Sequence, residues 1–205
     1  MLNRIDIERE FHELLHSARS KKAEELLLTL YSELKTTKSK DLEFIVSLLA
    51  HLYSMPETED IQKAEACFLE REELSPGAYV KSQTAMFYLY VAQDFNKTIA
   101  KVSEISNSEA TADPGSYYSA LTLQGQALLH LDRKSDVRSV LEKLLGLIEG
   151  GSSSLPYGDE VNFLQAAMKD GSLKNKCREI LNLTVPKMRS REYVQRGKIL
   201  LNASW

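Results

Sequence analysis

The chain has 205 residues, 43% of them hydrophobic and 27% charged, with nine Gly and only five Pro. That length allows one domain or one continuous array of repeats, and so few breakers leave room for long helices. No segment approaches the ~18 uninterrupted apolar residues of a membrane span, so such a span is excluded.

The N-terminus, Met1-Leu2-Asn3-Arg4-Ile5-Asp6, turns acidic at once and lacks the apolar core of a signal peptide. Cys67 and Cys177 are the two cysteines, too few and too far apart in sequence for a disulfide framework. Reduced thiols in a cytoplasmic protein are the expectation. The net charge of −3 is unevenly spread: residues 169–205 carry nine Lys or Arg against three Asp or Glu, and residues 1–168 carry seventeen against twenty-six. A basic end of this kind is either a solvated helix pair or a contact surface.

Taken in order, Ile7, Phe11, Leu14, Leu15 and Ala18 form one helical stripe. A break at Arg19-Ser20-Lys21 precedes a second helix with Ala23, Leu26, Leu27, Leu30, Tyr31 and Leu34 on one side. Ser39 is the expected N-cap of a third helix carrying Leu42, Ile45, Val46, Leu49, Leu52 and Tyr53, which Met55-Pro56-Glu57 ends. The fourth runs through Ala64 and Phe68 to the turn signal Ser75-Pro76-Gly77. Ala78–Ala92 and Ile99–Ile105 follow, then a polar loop, Asn107–Gly115, whose Asp113-Pro114 suits an N-cap and first helical position. Tyr117–Leu131 and Val137–Ile148 make the next pair. Gly150–Gly158 has the most flexible composition in the chain. Helices at Glu160–Met168, Leu173–Leu183 and Arg189–Asn202 complete it, and no window reads as a strand. The expected fold is all-α.

Helix pairs joined by short turns suggest a solenoid. A small or moderate residue opens the second helix of each pair, at Ala23, Ala64, Thr98, Val137 and Cys177, at intervals of 41, 34, 39 and 40. Four residues on stand Leu27, Phe68, Val102, Leu141 and Leu181, all apolar. One pair cannot bury its apolar side alone, so stacked pairs sharing a core are expected.

This pattern resembles the tetratricopeptide repeat. Ala64, Phe68 and Pro76 match that family's second-helix alanine, large residue and closing proline. Asp94-Phe95-Asn96-Lys97 looks like its acidic-aromatic turn, and Gly125 stands where its first helix takes a small residue. Thr98, Val137 and Cys177 replace the alanine, and the family's tryptophan is missing. The resemblance covers residues 4–184 and implies a degenerate, tetratricopeptide-like right-handed α–α superhelix. It would be a single domain over 1–205, with about five antiparallel pairs near 4–37, 39–75, 78–106, 114–149 and 159–184 and a capping helix at 189–202. A general α–α superhelix and a compact non-repeat bundle stay open.

What the resemblance implies is binding of a peptide or partner helix in a concave groove, with no enzyme activity and no cofactor. By register the groove positions are Val46, Leu49, Tyr53, Gln83, Phe87, Tyr90, Thr122, Gln126, Leu129 and His130. Tyr53, Gln83, Phe87, Tyr90, Gln126 and His130 are the candidate contacts, although aromatics at helical spacing are also what a packed core contains. The family's carboxylate clamp is absent, because Glu8, His12, Gln83 and Phe87 stand at comparable positions.

His12-Glu13-Leu14-Leu15-His16 is a literal H-E-x-x-H on a helix, which places two imidazoles one turn apart where both could ligate zinc. Only eleven residues precede His12, too few for the strands that hold substrate in such a hydrolase, and Arg19 and Lys22 stand where the extended motif needs Gly and His. Gly150-Gly151 lacks the lysine and preceding strand of a phosphate loop. Cys67 has no histidine within a turn and reads as a small core residue. Residues 1–168 are too acidic for a nucleic-acid groove. The expected role is therefore an adaptor or scaffold. A structural subunit of a larger complex is the alternative, as is, more remotely, a zinc hydrolase. The C-terminal helix, with Tyr193, Ile199, Leu200, Leu201 and Trp205, is either a cap packed near Leu181 or a contact for another copy or subunit.

Overall fold

A computed structural model describes residues 3–151 and 154–203; Trp205, one of the expected C-terminal contacts, lies outside them. The described residues form twelve α-helices and one 3-10 turn, with no strand. Among them no helix is long and apolar enough to cross a membrane. The chain divides into two compact units, Met1–Pro76 and Gly77–Trp205.

The first unit contains α1 (Arg4–His16), α2 (Ser20–Thr36), α3 (Leu42–Tyr53) and α4 (Ile61–Leu74). The most apolar of them, α3, packs between α2 and α4 and buries Leu42, Ile45, Val46, Leu49 and Leu52. Polar side chains tie the three together. Tyr53 donates its hydroxyl to Glu24 at 2.8 Å, and Tyr31 donates to Glu70 at 2.8 Å. Arg71 is buried, which its charge tolerates because Glu43 stands 2.6 Å away. The start of α3 departs from the sequence expectation. Asp41 is the cap residue, and Ser39 instead takes the Asp41 N–H on its hydroxyl at 3.2 Å. Asp60 caps α4 by accepting the Lys63 N–H at 3.0 Å, satisfying one orphan amide.

The second unit contains α5 (Ala78–Tyr90), α6 (Phe95–Ser103), α7 (Asn107–Ala112), α8 (Pro114–His130) and α9 (Lys134–Glu149). It continues through α10 (Val161–Ala167), α11 (Lys174–Thr184), a 3-10 turn (Val185–Lys187) and α12 (Arg191–Asn202). The long α8 is its centre, packing on α5, α6, α9 and α10. Asp94 caps α6 and Asp113 caps α8, with Pro114 in its first turn.

Two stretches correct the sequence reading. Asn107–Ala112 is a helix, not a loop, because Ser106 and Glu109 close a reciprocal capping box around its first turn. Glu109 also accepts Lys81 of α5 at 2.9 Å, which pins the short helix down. The Gly150–Gly158 stretch, read as flexible, is anchored where it is described. Leu155 is buried and Tyr157 meets the Tyr118 ring edge-on. Gly158 adopts φ +122° against Tyr193, where a Cβ would sit 2.5 Å from the ring, and donates its N–H to the fully buried Glu160 at 2.7 Å. Ser152 and Ser153 lie outside the described residues.

Within the helix pairs the register is tight. Ala23, Ala64, Thr98, Val137 and Cys177 are all completely buried, and Leu27, Phe68, Val102, Leu141 and Leu181 lie buried one turn on. Gly125 of α8 meets the Phe163 ring of α10 so closely that a Cβ would fall 2.4 Å from the ring. Phe163 is rigidly seated at no exposure, so it has no solvent side into which to move.

Gly125→Ala should therefore lower the unfolding free energy by about 1–3 kcal/mol through overpacking, and Phe163→Leu in the same chain should recover part of that loss. Urea titrations of the two single variants and the double variant measure it. A second expectation concerns pH. The Ser106 backbone N–H, and after it the Lys81 ammonium, hold the Glu109 carboxyl down to about 2. A depressed carboxylate stabilises the fold above its unfolded value of about 4.3, and that contribution is lost as pH falls from there towards about 2. Glu109→Gln should thus lose less stability than the parent between neutral and acidic pH.

Candidate protein-binding face

Most sides of α5 are buried against its neighbours, with Ala78, Ala85 and Leu89 in one core cluster. The strip left over is Tyr79, Gln83, Met86 and Tyr90, spaced i, i+4, i+7 and i+11 and so on one face of the helix. Tyr79 is 52% exposed, Met86 40% and Tyr90 54%, while Gln83 is half-buried. The strip runs about 16 Å along the axis at 1.5 Å per residue. No residue of it is charged.

The face continues onto α8 and α10. Tyr90 donates its hydroxyl to Gln126 Oε1 at 3.0 Å, which joins the α5 strip to α8. One turn further, His130 stacks on Phe95 with ring centroids 4.4 Å apart and planes within 2°. A cleft of about 320 Å³ opens where Tyr79 and Gln83 face Ser116, Ser119 and Pro156. Another, of about 230 Å³, lies between Gln126 and His130 of α8 and Asn162 and Ala166 of α10. Arg196 of α12 fixes the far wall by donating to Asn162 at 2.6 Å and Gln165 at 3.0 Å.

Of the candidate contacts, Gln83, Tyr90, Gln126 and His130 share this face. Tyr53 and Phe87 do not. Phe87 is 3% exposed on the buried side of α5, packed against Tyr88, and Tyr53 is 5% exposed within the first unit with its hydroxyl on Glu24. Val46, Leu49 and Thr122 are buried as well. In α3, α5 and α8 apolar residues occur nearly all round the helix, so large side chains at groove register went to the core. Tyr79 and Met86 were missed. The signal for them was Gln83, a long polar residue on α5: stepping from it by one or two turns gives 79, 86 and 90.

The two imidazoles of the H-E-x-x-H stretch are exposed on α1, and the His12 ring lies 5.3 Å from that of Phe11. His51 of α3 meets Phe11 edge-on at 6.2 Å; its pKa is lowered by burial and then by the nearby His12. Among the described residues no three His, Cys, Asp or Glu side chains converge as a metal would need. Burial pushes the Cys67 thiol up to about 11 and the Cys177 thiol up to about 12, so both are protonated at neutral pH and neither is a nucleophile there. The α5–α8–α10 face offers aromatic area, a thioether, the His130 imidazole, the Asp113 carboxylate, and amide and hydroxyl hydrogen bonds.

Set against known proteins, the chain matches no family model and no curated protein. Among solved structures it is similar to PilW, described as a widely conserved type IV pilus biogenesis factor. That alignment covers 96% of this chain and 90% of that one, at a TM-score of 0.49 and 14% identity.

Titrating purified apo protein with zinc in a calorimeter should give no stoichiometric heat, and His12→Ala should leave the trace unchanged. A one-to-one isotherm abolished by that substitution would restore the metal site.

Proposed function

We propose that the chain is a non-enzymatic adaptor or scaffold that binds a protein segment, a peptide or a partner helix, on the α5–α8–α10 face. The observation that carries the proposal is the exposed Tyr79–Gln83–Met86–Tyr90 strip beside two clefts. Tyrosines give large rigid contact area at little cost in side-chain entropy, and methionine adapts to an irregular partner surface. Gln83, Gln126 and Asn162 supply hydrogen bonds that can fix a partner's register. The strip is uncharged, so its preference would be for apolar and amide-bearing side chains rather than for an ionic tail. Cytoplasmic residence belongs to the same proposal and accords with Cys67 and Cys177, both of which are free thiols.

The test uses two exposed residues whose loss leaves the core intact. Tyr79→Ser with Tyr90→Ser should melt within a degree or two of the parent, yet lose stoichiometric partners in quantitative affinity purification from the native cell by tenfold or more. Unchanged recovery of every partner would refute the role of this face.

A further inference from the structure

The cationic end of the chain folds into a groove of its own. α12 is held against the second unit by its inner side. Leu200 is buried in the core cluster, and Gly197 approaches Val185 so closely that a Cβ would sit 2.5 Å from Val185 Cγ2. Ile199, beside the buried Leu200, faces out at 59% exposure, because one residue along a helix turns the side chain by about 100°. Beside it lies an open groove of about 750 Å³ lined by Met188, Val194 and Ile199 together with Arg189, Arg191 and Lys198. Among the described residues no carboxylate lines it. Glu192, on the same helix, is turned towards Arg196 at 3.9 Å. Among the described residues Arg189, Arg191 and Lys198 pair with no acid. Arg189 also borders an adjoining cleft of about 390 Å³ that contains Lys187, so the positive rim continues past the helix start.

We propose that this groove docks an acidic amphipathic helix of a partner protein. The occupant's apolar residues would pack on the apolar lining residues Met188, Val194 and Ile199, with its carboxylates reaching Arg189, Arg191 and Lys198. α12 offers about 16 Å of length, three turns, which matches a segment of roughly ten to twelve residues. Charge selects this occupant. A nucleic acid would use the cations, but the described residues lining the groove give its bases no aromatic ring for stacking. The site is independent of the α5 face: neither Ile199 nor Arg191 touches the strip or its clefts.

The experiment selects a displayed library of helical twelve-residue peptides on the full chain and counter-selects on an Ile199→Asp, Arg191→Glu variant. Both changed side chains lie at the surface, and circular dichroism confirms that the variant folds. The expected result is enrichment of net-acidic sequences with apolar residues three and four apart. Synthetic copies should bind the parent, bind the variant at least tenfold more weakly, weaken with rising salt, and bind the Tyr79→Ser, Tyr90→Ser chain as they bind the parent. No enrichment, or enrichment of neutral or basic sequences, overturns the proposal. So does equal binding to the variant. Two further assays carry the other occupants: co-sedimentation with phosphatidylserine vesicles lost in the variant would assign the face to lipid, and a dimer in gel filtration that the variant dissolves would assign it to a second copy. Loss of peptide binding in the Tyr79→Ser, Tyr90→Ser chain alone would place the ligand on the α5 face.

Discussion

Close approach at the second helix of each pair is the constraint from which the remaining structure follows. Ala23, Ala64, Thr98, Val137 and Cys177 have no exposed surface, and each leaves room for the large apolar residue one turn later. Interiors at this packing density tolerate neither a void nor an added methyl group without cost. The same demand recurs on a first helix at Gly125, whose missing side chain is the space the Phe163 ring occupies. Because those contacts bury apolar surface on several sides of α3, α5 and α8, few side chains of these helices are left for any other purpose.

That scarcity gives the exposed α5 strip its meaning. A helix that buries Ala78, Ala85, Phe87, Tyr88 and Leu89 has one narrow face left, and an ordinary solvated face would carry Lys or Glu. Here it carries two tyrosines, a methionine and a glutamine, joined to α8 through the Tyr90–Gln126 hydrogen bond. The charged side chain nearest in sequence, Lys81, is turned away to Glu109. Specific residues are therefore spent on a surface that stability alone does not explain.

Much of the fold was legible in the sequence because its signals are local. Asp94, Asp113-Pro114 and the period of apolar residues marked helix starts and faces by chemistry that acts within one turn. Ser106 and Glu109 were equally legible as a capping box, but the polar composition of Asn107–Gly115 hid it. The site was less accessible. Which side of α5 meets solvent depends on where α6 and α8 lie, and no periodicity separates Phe87 from Tyr90 when both neighbours are apolar. Ile199 and Leu200 show the same ambiguity at the scale of a single residue. The packing of Tyr193 against Gly158 could not be foreseen, since that side chain arrives from α12.

Side-chain footprinting by hydroxyl radicals, on the isolated chain and on the complex recovered from cells, tests the central claim most directly. Tyr79, Met86 and Tyr90 are oxidisable and exposed, while Phe87 and Tyr118 in the core serve as internal controls. The account predicts that labelling of the three α5 residues falls severalfold in the complex while the controls do not change. Equal labelling of Tyr79, Met86 and Tyr90 in the two states would contradict it.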